Sequence, residues 1–262
     1  MRNICELRSH FPTVPFLLLT ATCTKKVLRK ITDQLHLPDL CIETFSPDRP
    51  NIYLHWNLKC QNDPVEELSW LLDELRTEGR EMKKTLIYVR SISKAATLFR
   101  DAIGSLRDDA YLNNIKSFEN SLVALYHAGL NQEEQEHVLQ ELPKSDSIIR
   151  IVICTVAFGM GVNITDIRYV IHWGACDTIM EYWQEVGRAG RDGKDADAIS
   201  YITPSSKIHV SDEMKQLVKD IALPNTCIRK SVLSAFIGVA PAQDLSCLCR
   251  CCSNCRNQCV HE

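Results

Sequence analysis

The chain has 262 residues, 45% hydrophobic and 24% charged, enough to bury a core and to form one to three domains. Its formal net charge of −3 at pH 7 excludes a global basic excess, so any nucleic-acid surface has to be a local stripe. The opening MRNICELRSHFP carries no apolar leader-like run, and the apolar stretch at 16–19 is far too short to cross a bilayer, so the expectation is a cytosolic or nuclear protein with no membrane partner.

In chain order, residues 16–19 read as a short buried strand that runs into the small-residue turn TATCT at 20–24. A helix follows, its apolar positions spaced as Val27, Leu28, Ile31 and Leu35. Thr20 and Thr22 are read either as a strand end and helix cap or as groups on the edge of a site. The segment 46–51, SPDRPN, is turn chemistry with two prolines and reads as an interdomain linker.

Beyond it β-rich runs alternate with amphipathic helices. Strands are expected at 52–58, 85–89, 122–126, 149–154, 169–172 and 198–202, with helices at 65–78, 95–103, 132–142 and 178–187. This alternation predicts an α/β fold with a doubly wound parallel sheet, whose working residues sit on loops at the carboxyl ends of strands. The polar stretch 107–120 reads as a surface insertion.

Three strand-end loops carry unusual residues: Arg90 and Ser91; His127 and Gly129; and TVAFGMGVN at 155–163, with Thr155, Gly159, Gly161 and Asn163. Donors and close backbone approach along one rim suit a sugar-phosphate backbone. A satisfied loop histidine and a tight strand-to-loop turn are the plain alternatives. QEVGRAGRDG at 184–193 sets Arg188 and Arg191 three residues apart among Gly187, Gly190 and Gly193. Two guanidinium forks on one helical face, with glycines admitting close approach, suit a multiply charged phosphate. The alternative is a glycine-rich turn with solvated arginines.

Of thirteen cysteines, seven fall between Cys227 and Cys259, which in a reducing compartment means metal rather than disulfides. Cys249, Cys252 and Cys255 are each separated by two residues, a spacing that converges thiolates on a tetrahedral ion, and Cys227 at the head of a helix completes four ligands for a structural Zn2+. Cys247 or Cys251 could stand in for Cys249. Such a site would hold Arg229, Lys230, Arg250 and Arg256 as a small basic surface.

The succession TVAFGMGVN, DIRYVIH (166–172) and QEVGRAGRDG, with YHAGL (126–130), TATCT, DRPN and the cysteine knuckle, resembles the RecQ family of superfamily-2 DNA helicases over nearly the whole chain. The resemblance implies two RecA-like lobes that sandwich ATP and Mg2+ and step 3′ to 5′ along DNA. It divides the chain into the tail of the first lobe (1–45), the second RecA-like lobe (46–204) and a helical zinc-binding subdomain (205–262). Residue by residue it implies that Thr20 and Thr22 couple hydrolysis to strand separation and that Arg90, Ser91, His127, Gly129 and Thr155 face single-stranded DNA. Gly159, Gly161, Asn163 and Asp166 would shape the turn joining the DNA groove to the nucleotide cleft. Gln184 would contact the catalytic acidic motif, and Arg188 and Arg191 would reach the γ-phosphate, Arg191 as the finger.

Gln135, Ile164 and Ile92 stand where relatives often carry a basic residue. No GxxxxGK[ST] loop and no DExH box occurs in these residues, so the chain alone is expected not to turn over ATP. The expected partners are DNA, nucleotide and other repair proteins, and the expected location is the nucleus or cytoplasm. A truncated paralogue that binds DNA or a helicase through its zinc module, and an RNA or chromatin-remodelling motor, are the competing readings.

Overall fold

The computed structural model describes residues 6, 10–11, 13–20, 22–35, 40–60, 63–158, 163–203, 206, 209–223, 225–238 and 248–259. Gly159, Gly161 and Cys247 lie outside them.

Six parallel strands form one sheet: β1 (Ile52–Asn57), β2 (Lys84–Val89), β3 (Val123–Tyr126), β4 (Ile151–Cys154), β5 (Ile167–Trp173) and β6 (Ala196–Tyr201), in the order β1-β6-β5-β2-β4-β3. Burial follows position. All six residues of β2 and all four of β4 are buried, because helices cover both faces of a central parallel strand, whereas edge strand β1 alternates inward and outward.

The helices are α1 (Lys25–Leu35), α2 (Pro64–Glu67), α3 (Ser69–Glu78), α4 (Ile92–Leu106), α5 (Gln132–Glu141), α6 (Ile179–Val186), α7 (Asp212–Ile221), α8 (Ile228–Leu233) and α9 (Ser253–Arg256). Hydroxyl and amide side chains set their starts. Ser91, Thr178 and Ser211 accept from the third helical N–H of α4, α6 and α7, and Asn131 forms a reciprocal capping box with Glu134 on α5. On one sheet face Leu71, Leu72 and Leu75 of α3 and Ala95, Leu98, Ala102 and Leu106 of α4 pack on Ile87, Val89, Ile153 and Ile171. On the other face lie α5, α6, α7 and α8, with Tyr182, Trp183 and Val186 of α6 over Leu86, Tyr88 and Val170. The result is the expected doubly wound α/β layer structure.

Two expectations change, and the surface insertion at 107–120 keeps its expected place and gains a defined form. Residues 16–19 form no strand among the described residues; Leu17 and Leu19 are 83% and 84% exposed, because no sheet partner covers them. Thr24, not Thr20 or Thr22, caps α1, its hydroxyl accepting from Val27 N at 3.2 Å. The stretch 107–120 is a closed lobe: short helical turns at Arg107–Ala110 and Leu112–Asn114, with Tyr111 bridged to Ser121, bury Ala110 beside edge strand β3.

The amino-terminal segment docks on the carboxyl-terminal helices. Lys25 N donates to Ala235 O at 3.1 Å, Ile237 N donates to Cys23 O at 3.0 Å, and Thr24 bridges Phe236. Residues 251–252 run beside β1, with Leu54 N donating to Cys251 O, and so cover one exposed sheet edge.

Candidate functional site

Helix α6 begins after the carboxyl end of β5 and returns to the amino end of the sheet, so the expected site residues divide between two rims. At the carboxyl ends of the neighbouring strands β2, β4 and β3 stand Ser91, Thr155, His127 and Gly129. Ser91 caps α4, and Thr155 is half-buried with its N–H on Tyr126 O at 3.2 Å. His127 is buried, and its Nδ1 accepts from Gly129 N at 3.1 Å, so this imidazole shapes its own turn. Ile92 and Val156 are exposed beside these residues.

Arg90 belongs to the same rim by sequence but points inward. Its Nη1 donates to Glu181 and its Nη2 to Glu185, both at 2.8 Å. Glu185 also meets His172 Nε2 at 2.9 Å and accepts from the Cys176 thiol at 3.3 Å. Burial works against the charge on Arg90, but Cys176, Glu185 and Glu181 outweigh it and raise its pKa. Burial likewise opposes the charge on Glu185, yet His172 and Arg90 bring its pKa below the usual carboxylate value. His172 titrates low because burial outweighs its bond to Glu185. Although His172, Cys176 and Glu185 stand close enough to share an ion, Arg90 already supplies the cation.

At the amino rim the loop after α6 brings together the arginines. Gly190 N donates to Ile167 O and Asp192 N to Thr165 O, which fastens the loop to the start of β5. Arg191 Nη1 donates to Asn163 Oδ1 at 3.0 Å. The pKa of Arg191 is lowered first by partial burial and then by the charges of Arg188 and Arg49. Asp166 pairs with Lys84, whose Nζ lies 2.8 Å from Oδ2 and is almost fully buried, which ties the end of the loop leading into β5 to the start of β2. Ile164 is buried core, and Gln135 donates to Leu130 O at 2.8 Å within its own loop.

Gln184 Nε2 donates to Thr22 Oγ1 at 3.0 Å, while Thr20 Oγ1 donates to Thr22 O at 2.7 Å. These side chains therefore link α6 to the amino-terminal segment. Of the glycines, Gly190 has φ +53°, and a Cβ there would stand 2.5 Å from Asn51 Nδ2 and 2.6 Å from Lys194 O. The close approach this glycine permits is to the protein's own segment 46–51, not to a ligand.

Four thiols converge near β1: Cys227, Cys251, Cys252 and Cys255, all within 4.8 Å of one another. Cys249 is not among them: against the expectation of metal rather than disulfides in this cluster, it is bonded to Cys259, and Cys251, next to Cys252, takes its place. Cys227 caps α8, its Sγ accepting from Lys230 N, and its sulfur lies 3.6 Å from that of Cys251. Four zinc–sulfur bonds of about 2.3 Å at tetrahedral angles put sulfurs roughly 3.8 Å apart, so the donor set fits that ion. Of the four basic residues expected to form a surface here, Arg229 is buried, whereas Lys230, Arg250 and Arg256 are exposed and Arg250 pairs with Asp195.

Residues 66–193 match the Helicase conserved C-terminal domain. The bifunctional 3'-5' exonuclease/ATP-dependent helicase WRN of Mus musculus is 30% identical over 278 residues, covering 99% of this chain and 19% of the relative. The ATP-dependent DNA helicase RecQ of Haemophilus influenzae is 32% identical over 199 residues, 76% of this chain and 28% of its own length. These matches support a RecQ-family helicase C-terminal region. The chain spans about a fifth to a third of the length of these curated RecQ relatives. The structure of S. cerevisiae Dbp5 bound to RNA and ADP BeF3 superposes with a TM-score of 0.59 at 15% identity, over 91% of this chain and 54% of that one, a likeness of fold.

The buried His172–Glu185–Arg90 network sets a pH dependence. Both His172 and Glu185 have depressed pKa values in the fold, so the unfolded chain takes up protons first and stability falls as pH falls. The imidazole contribution is lost from about pH 6.5 downward, before that of the carboxylate. His55, also lowered mainly by burial, adds in the same direction. Urea midpoints are expected to drop between pH 7 and pH 5 for the natural chain and to drop less for His172→Gln; equal slopes would show that His172 does not titrate with unfolding.

Proposed function

We propose that this chain supplies the second RecA-like lobe and the metal-holding module of an ATP-dependent 3′ to 5′ DNA helicase. The observation that carries the reading is the loop after α6, which is fastened to the start of β5 and sets Arg188 and Arg191 three residues apart, with Arg191 steered by Asn163. Two guanidinium forks at this spacing suit a multiply charged anion, and a nucleotide phosphate is one. ATP with Mg2+, bound against a first lobe, would supply the transferable phosphoryl group. Arg191 would stabilise charge on that group, Arg188 would add a second cation, and Gln184 with Thr22 would connect the finger-bearing helix to the first-lobe side.

Ser91, Gly129, Thr155 and the turn ordered by His127 form the rim proposed to hold single-stranded DNA. Its polar groups and backbone amides suit phosphate and sugar contacts, which bind any sequence. The inward turn of Arg90 makes it a support of that rim rather than a contact to DNA. The thiols of Cys227, Cys251, Cys252 and Cys255 would hold a structural Zn2+, whose contribution is folding energy. A DNA substrate assigns the protein's work to the nucleus.

A second reading, a DNA- or protein-binding module without hydrolysis, is favoured by one fact: these 262 residues contain neither a GxxxxGK[ST] loop nor a DExH box. ATP hydrolysis measured on the chain alone, and on the chain joined to a RecQ first lobe, separates the two. We expect turnover only in the joined protein, and Arg191→Ala there to lower kcat by roughly 10³-fold, as for other arginine fingers. Full kcat in Arg191→Ala removes the finger assignment. An inactive joined protein whose short form still binds single-stranded DNA establishes the binding module.

Metal content decides the ligand set independently. One zinc per chain is expected in the natural protein and in Cys249→Ser, and a loss of zinc in Cys251→Ser; the reverse pattern would return Cys249 to the site.

A further inference from the structure

The segment 48–51 does more than join two regions. Arg49 spans the carbonyls at the carboxyl end of α6: its Nη1 donates to Gly187 O at 3.3 Å, and its Nη2 donates to Ala189 O at 3.2 Å and Gly190 O at 2.7 Å. Gly187 is the residue after α6, and Ala189 and Gly190 belong to the loop beyond it, where Gly190 O also accepts from Gly193 N at 3.0 Å, so one guanidinium bonded to three carbonyls pins that loop. Asn51 Nδ2 adds bonds to Gly190 O at 2.9 Å and Lys194 O at 2.8 Å, so that both sides of Gly190 are held from one segment. One residue earlier, Pro47 O accepts from Trp183 Nε1 of α6 at 2.9 Å.

The segment is itself held from behind. Arg229 of α8 is 2% exposed. Its Nη1 donates to Asp48 Oδ1 at 2.6 Å and to Arg49 O at 3.0 Å, and its Nη2 donates to Ile52 O and reaches Cys251 O at 3.4 Å. Asp48 Oδ1 also accepts from Arg49 N at 2.7 Å. A guanidinium this deep in the protein persists only with such partners. The bonds run without interruption from the cysteine turn, through Arg229, Asp48 and Arg49, to the loop that carries Arg188 and Arg191.

We propose that Asp48, Arg49, Asn51 and Arg229 form a strut that sets the position of the 187–191 loop, making Arg49 and Arg229 positioning residues for ATP hydrolysis. This rests on the finger reading of Arg191. A finger stabilises only the charge that develops in the transition state, so a displaced loop costs turnover more than substrate binding. Lysine at position 49 keeps the charge but cannot span three carbonyls, whereas direct phosphate binding by Arg49 would tolerate it.

The test uses the helicase carrying both lobes, with Arg49→Met, Arg49→Lys, Asn51→Ala and Arg229→Lys compared for kcat, KM for ATP, affinity for single-stranded DNA and zinc content. We expect kcat to fall at least tenfold in both Arg49 variants and in Arg229→Lys, and several-fold in Asn51→Ala, with KM and DNA affinity within twofold and zinc retained. Amide exchange at Gly190 and Asp192 should quicken at least tenfold in the same variants, with β2 and β4 unchanged. A raised KM with kcat preserved, full rescue by Arg49→Lys, or exchange that quickens throughout the sheet would each overturn the proposal. If Arg191→Ala leaves kcat intact, it is the finger reading that fails, and the exchange at Gly190 and Asp192 still decides whether the strut exists.

Discussion

A buried guanidinium has to be surrounded by acceptors or it is not tolerated, and Arg229 is the place where that constraint shapes this molecule. Its acceptors come from three separate parts of the chain: the carboxylate of Asp48, the carbonyls that lead into β1, and the cysteine turn. Satisfying one cation therefore fixes the entry to the sheet, the carboxyl-terminal helices and the thiol cluster relative to one another. Breaking such a buried ion pair by removing one partner costs about 3–5 kcal/mol in other proteins.

Helix α6 lies between two polar anchors. Glu181 in its first turn and Glu185 in its last grip Arg90 and His172 at the carboxyl rim, and beyond its carboxyl end Arg49 and Asn51 hold the loop at the amino rim. Between them Tyr182, Trp183 and Val186 bury the helix against the sheet. The helix is thus a rigid member joining the rim proposed to hold DNA to the rim proposed to meet nucleotide. Polar bonds at both ends give it a defined setting that apolar packing alone, being non-directional, would leave loose.

Much of this was legible in the sequence, and the exceptions have physical reasons. The runs TLIYV and IVIC could be read as central strands, since a strand buried on both faces has no polar face to show. The apolar run at 16–19 misled because hydrophobicity signals a need for cover without saying what provides it. Gly190 looked like a ligand-approach glycine, but close approach by Asn51 makes the same demand of the backbone. Arg90 and Asp166 were legible as charged residues near functional loops, whereas their partners Glu185 and Lys84 are distant in sequence. Cys251 rather than Cys249 joins the thiol cluster because an adjacent pair at 251–252, running beside β1, turns its sulfurs where a two-residue repeat was expected to. DRPN was visible as a motif, but only the fold reveals that its arginine holds the loop after α6.

The central claim is that the strut acts through the finger, and a double-mutant cycle tests it directly. ATP turnover would be compared for the two-lobe helicase, Arg49→Met, Arg191→Ala and the pair combined. Residues that work as one unit are not additive. The account predicts that the double variant loses no more than Arg191→Ala alone. Losses that simply multiply would contradict it and give Arg49 a separate role.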